Sequence, residues 1–141
     1  MREIKFRGKF KFDGSWVYGY LRRGEGLDHD IIETPTGLGS DVDPKTVGQF
    51  TGLKDKNGVE IFEGDIVKEK AVHFRKGKPS ISREIYRLIA WHDGSFHISN
   101  SRRRVASTPV LSSPKAFRAN MEVIGNIFSN PDLLKTKEKD K

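Results

Sequence analysis

The 141-residue chain has no cysteine. A disulfide framework, a thiolate zinc site and a cysteine nucleophile are therefore excluded, and stability has to come from packing. No apolar run approaches the roughly 18 residues that cross a bilayer, and the opening Met-Arg-Glu-Ile-Lys-Phe lacks the apolar stretch of a signal peptide. We expect a cytoplasmic protein with no membrane partner. Glycine-rich phosphate cradles are also missing: Gly24-Glu25-Gly26 and Gly37-Leu38-Gly39 lack the following glycine, lysine and helix of a nucleotide site, and read as turns. No internal repeat is present. What the chain does have is nine Phe, three Tyr and two Trp in a 35% hydrophobic composition, enough large apolar side chains for a folded core. Its length suits one domain, residues 1–134, followed by a disordered charged tail, KTKEKDK.

The formal net charge of +7 is unevenly spread. Residues 1–23 hold seven Lys/Arg against two acids, residues 24–65 three against ten, and residues 66–118 twelve against three; the rest balances. A basic face that attracts phosphate and an acidic segment that cancels the field both fit this pattern.

Short extended segments dominate. Phe6, Phe10 and Phe12 share one parity before Asp13-Gly14, and Trp16, Tyr18 and Tyr20 continue after it, which reads as a hairpin with its rings on one face and a type I′ turn at Asp13-Gly14. A short strand from Ile31 to Thr34 ends at Pro35-Thr36-Gly37, and residues 37–46 read as loop. In TGLKDKNGVEIFEGDIV, residues 51–67, Asn57-Gly58 signals a second hairpin, and Glu63-Gly64-Asp65 breaks one strand before Ile66-Val67 starts another. Brief strands with glycine at the corners suit a curled sheet. The expected fold is mainly β: an SH3-like small barrel with an additional N-terminal β-hairpin and a short C-terminal helical turn.

Residues 68–83 are basic and aperiodic around Lys76-Gly77-Lys78-Pro79, as expected of a long exposed loop or a ribbon tip. Ile85 to Trp91 is apolar at both parities and reads as a central strand covered on two faces; His92-Asp93-Gly94 turns the chain, and Phe96 and Ile98 point inward on the return. Met121 to Phe128 reads as a closing strand, and Asn130-Pro131-Asp132 as a helix start with Asn130 as cap.

Three segments carry a resemblance: the opening MREIKFR, the central TGLKDKNGVEIFEGDIV, and EVIGNIFSNPDLL at residues 122–134. Together, and in this order, they resemble the phage YopX family. The resemblance implies an all-β fold with an SH3-type barrel and a phage or prophage origin. It implies no enzyme activity and carries over no catalytic residue or cofactor.

Chemistry has little to work with. Asp28-His29-Asp30 with Asp41 and Asp43 has ligand types for a divalent cation, but nothing rigid to make them converge, so a solvated acidic loop is the better reading. His92-Asp93 lacks a nucleophile at defined spacing, His73 adds nothing, and we expect no catalysis. Nucleic-acid binding has better material: Lys68, Lys70, Arg75, Lys76, Lys78, Arg83 and Arg87 share one basic stretch, and Arg102, Arg103 and Arg104 follow. Tyr18, Tyr20, Tyr86 or Trp91 would stack on bases if exposed, although large rings are more often core. A host protein with an acidic surface, or a homo-oligomer in which acidic segment meets basic, are the alternative partners.

Overall fold

The computed structural model describes residues 3–25, 29–92, 94–99, 107–109 and 120–134, and for residues 71–74, 80–83 and 107–109 the backbone only. The chain divides into two compact units, residues 1–53 and 54–141. The protein is mainly β, built on two antiparallel sheets.

In the first unit β1 (Phe6–Lys9), β2 (Trp16–Arg23), β3 (Asp30–Glu33), β4 (Gly39–Val42) and β5 (Gly48–Lys54) are arranged β4-β3-β2-β1-β5. The first hairpin is present, with Lys9 opposite Trp16 and Phe6 opposite Gly19. Its turn is not type I′. That turn needs positive φ at both central residues, whereas at Asp13-Gly14 only Gly14 has it, at 74°. The Phe10 amide donates to the Ser15 carbonyl across a four-residue loop. Asp13 supports the loop by accepting from both the amide and the hydroxyl of Ser15, bonds that lower its pKa.

A loop with an even number of residues sets even-numbered positions opposite odd-numbered ones. The expected single aromatic face is therefore split. Phe6 lies with Gly19 and Val17's row, while Tyr18 and Trp16 lie with Arg7 and Lys9 on the other side. The buried row includes Gly8, Gly19, Ile32 and Val42. A Cβ on Gly19 would collide with the Glu33 carbonyl oxygen, so glycine is what lets β2 and β3 approach there.

Residues 37–46, expected as loop, include β4 and a 3₁₀ turn, Pro44–Thr46, capped by the Asp43 carboxylate on the Lys45 amide. Polar GSDV has no hydrophobic run to announce a strand; its backbone partners decide. Glu33 to Asp30 pairs along one side, and on the other the Lys11 amide donates to Asp41 and the Asp43 amide to Lys9. Phe10 bridges Val42 at this point, but neither sheet forms a closed barrel among the described residues. The expected SH3-like closure is thus replaced by two open sheets.

In the second unit the three-residue turn Lys56-Asn57-Gly58 has positive φ only at Gly58, 80°, which matches a type I turn closed by a left-handed glycine. β6 (Glu60–Phe62) follows, with Ile61 and Phe62 buried. Gly64, φ 89°, turns the chain into β7 (Asp65–Arg75), and buried Asp65 accepts from the Phe62 amide across that corner at 2.7 Å. β8 (Lys78–His92), β9 (Ser95–Ser99), β10 (Ser107–Pro109) and β11 (Glu122–Asn126) complete the sheet β10-β9-β8-β7-β11. Ile66, Val67, Ile89, Phe96, Ile98 and Met121 are buried in this unit. Phe96 and Ile98 point inward as expected; Trp91 does not, being 50% exposed with its ring edge-on to Phe96 at 4.8 Å.

The C-terminal helical turn is the 3₁₀ segment Pro131–Leu134, with Leu134 buried. The Asn130 side-chain oxygen accepts from the Asn126 amide, one of several bonds that fold the chain back after β11. The charged tail, residues 135–141, lies outside the described residues.

Candidate nucleic-acid interface

The basic stretch is a ribbon rather than a loop. Lys76 and Gly77 both adopt positive φ, 54° and 74°, the geometry of a two-residue type I′ hairpin. Around them Arg75 faces Lys78, Phe74 faces Pro79, His73 faces Ser80 and Val72 faces Ile81. A register shift between Lys70 and Val72 marks a bulge, which increases the local twist.

Neighbouring strands stop short of this end. β11 accompanies β7 only from Asp65 to Lys68, and β9 accompanies β8 only from Leu88 to His92. Among the described residues the chain from Lys70 to Arg83 is therefore a two-stranded arm, about 20 Å long for six residues of strand. It carries Lys70, Arg75, Lys76, Lys78 and Arg83; Glu84 stands opposite Lys70 at its root, and no acid lies beyond that pair.

The ten cations singled out from sequence occupy three settings. Lys70, Arg75, Lys76 and Lys78 are exposed on the arm, and Arg83 lies on its β8 strand at the bulge. Lys68 and Arg87 sit at its base, already engaged with carboxylates. The Lys68 ammonium is 3.7 Å from both Glu84 and Glu122, and Arg87 Nε is 2.8 Å from buried Glu69. Arg102, Arg103 and Arg104 lie outside the described residues.

Glu69, at the arm's base, has a perturbed affinity for protons. Burial pushes its pKa up, and the Arg87 guanidinium pulls against that shift. One of its carboxylate oxygens, Oε2, finds no hydrogen-bond partner among the described residues. Half-satisfied and 4% exposed, Glu69 depends on Arg87 for compensation.

No cluster of metal-ligand type forms among the described residues. His29 Nδ1 is 3.1 Å from Asp41, which also lies 3.7 Å from Lys11; Asp28 and Asp93 lie outside the described residues. His97 Nε2 bonds the Ser95 hydroxyl, with the His92 ring 5.5 Å away.

Exposure of aromatics is where sequence reasoning fell short. Tyr18, Tyr20 and Trp91 are on the surface, at 45%, 62% and 50%. The signal was present in the first hairpin: glycines at 8 and 19 alternate with the rings, and small residues mark the side where strands pack closely.

These features define a two-sheet β protein with a cationic ribbon arm. Residues 5–135 match the family described as YopX protein, and the chain belongs to that family. It is also similar to a solved structure, the crystal structure of protein EF1440 from Enterococcus faecalis, at 28% identity and a TM-score of 0.56 over 95% of this chain and 99% of that one. No curated protein matches.

Proposed function

We propose that this chain is a non-enzymatic phage accessory protein that binds nucleic acid through the basic arm. One observation carries the reading: residues 70–83 place five cations and no carboxylate on a two-stranded ribbon, with Glu84 opposite Lys70 at its root and no third strand beside it among the described residues. A solvated face needs no such segregation. Lys68 and Arg87, at the base of the same strands, are matched by acids, so the absence of acids further out is not the rule for this sheet. Neutralised phosphates release counterions, which makes such binding sequence-tolerant and steeply salt-dependent.

The test is a salt series of fluorescence anisotropy with labelled single- and double-stranded DNA and RNA. Each lost phosphate contact lowers the log–log salt slope by about 0.7 to 0.9. Replacing Arg75 by Gln, Lys76 by Asn and Lys78 by Gln should lower it by about two to three, with Asn chosen because it tolerates the left-handed backbone at 76. An unchanged slope would refute the arm's role. Absence of binding at low salt would refute nucleic acid as the partner and turn attention to an acidic host protein or a second copy of the chain.

A further inference from the structure

The first unit carries a surface of different character from the arm. Residues directly opposite in an antiparallel pair share a face. Arg7 is opposite Tyr18, Lys9 opposite Trp16, Tyr20 opposite Glu33 and Arg22 opposite Ile31. One face of this sheet therefore alternates Trp16, Tyr18, Tyr20 and Arg22 along β2, with Arg7 and Lys9 on the neighbouring β1. The opposite face is the buried row of Gly8, Gly19 and Ile32.

Cations and rings are in contact here. The Arg7 guanidinium lies 4.5 Å from the Trp16 ring centre and the Lys9 ammonium 5.4 Å from it, an arrangement attractive through the ring quadrupole. Arg7 is buried, and Lys9 and Trp16 are partly so. Further along, Tyr18 and Tyr20 stand in solvent, followed by exposed Arg22, whose Nε is 2.7 Å from the Glu33 carboxylate. Two adjacent tyrosines on the same face of one strand contribute little to a core they do not enter.

We infer that this face is a stacking platform for single-stranded nucleic acid. Alternate residues of a strand are about 7 Å apart, twice the 3.4 Å rise per nucleotide of a duplex strand. Bases lying on Tyr18 and Tyr20 would thus belong to an extended strand. Duplex bases present edges, not faces, and offer nothing to a flat ring, whereas a splayed single strand offers one π-face per nucleotide. The flanking Lys9 and the excess of seven basic over two acidic residues in positions 1–23 supply the charge complement to its phosphates, while Arg22 is matched by Glu33. The inference rests on the nucleic-acid reading above, names the class of strand, and requires no particular placement of the arm relative to this face.

The experiment uses the full chain and a labelled 20-nucleotide oligo-dT, against a DNA hairpin of equal length. The wild type should prefer the single strand. Tyr18→Ala with Tyr20→Ala should weaken oligo-dT binding at least about tenfold, and Tyr18→Phe with Tyr20→Phe should leave it within about twofold, because the ring and not the hydroxyl does the stacking. A thermal melt of each variant verifies the fold. Should the alanine pair unfold, photo-crosslinking of wild type to a 5-iodouracil oligonucleotide decides, with adducts expected at Tyr18 or Tyr20. Tighter binding of the hairpin, undiminished binding by a folded alanine pair, or crosslinks confined to other residues would overturn the platform while leaving the arm reading intact. Failure of every polynucleotide to bind at low salt would overturn both.

Discussion

Removing the carboxylate of Asp55 tests whether one side chain ties the KDKNG turn to the far end of the chain. Buried Asp55 accepts three backbone hydrogen bonds: from Asn57 at 2.8 Å and Val59 at 2.9 Å through Oδ1, and from Val123 at 2.9 Å through Oδ2. The Lys56 amide adds a bond to the Met121 carbonyl along the same seam. Asn57 and Val59 are exposed, so water can replace the acceptor for their amides, at about 0.5 to 1 kcal/mol each. Val123 is only partly accessible, and loss of a charged acceptor there costs about 1.5 to 3 kcal/mol. Asp55→Ala should therefore destabilise by about 2.5 to 5 kcal/mol, a large share of the roughly 5 to 15 kcal/mol of an ordinary domain. Asp55→Asn should fall between, because its amide can serve the turn only by turning its NH₂ toward the Val123 amide. The assay is urea unfolding followed by tryptophan fluorescence, comparing midpoints at a common m-value. A loss below about 1 kcal/mol for the alanine variant, or an asparagine variant no better than alanine, would refute the reasoning.

Trp91→Ala should cost about 1 to 2 kcal/mol in a melting experiment, less than the 3 to 5 of a buried ring, because half of the side chain is already in water. Gly64→Ala should destabilise by more than about 2 kcal/mol in denaturant titration, since φ is 89° and the new Cβ would meet the Phe128 ring at 3.0 Å. For Glu69 the folded pKa is raised, so the folded state binds more protons than the unfolded one just above the ordinary value of 4.5. Stability is then greatest below that value and declines as pH rises through the window up to the raised pKa. Urea midpoints across pH 4 to 7 should show this component in the wild type and lack it in Glu69→Gln.

Turn chemistry and parity made much of the fold legible. Asp13-Gly14, Asn57-Gly58 and Glu63-Gly64-Asp65 all fall at chain reversals, and Phe96 and Ile98 are buried at the parity expected. The misjudged features depend on pairing. Lys76-Gly77 is the true type I′ turn, yet flanking Lys, Arg and Pro disguise its strands. GSDV becomes a strand because β3 and the chain around Lys9 to Lys11 meet it on both sides. Trp91 continues an apolar run but lies half in solvent.

The candidate interface divides in the same way. Composition by itself determined that the chain is a cysteine-free, aromatic-rich β protein whose positive charge gathers before and after an acidic segment. It also placed the cations of residues 68–87 in one stretch. Only tertiary structure decided which of them remain on an arm and which are matched by Glu69, Glu84 and Glu122, because those carboxylates come from other strands. It likewise decided that Tyr18 and Tyr20 face water. Period-two alternation sorts residues into two sets, but the sheet register and what packs against each face determine which set is buried.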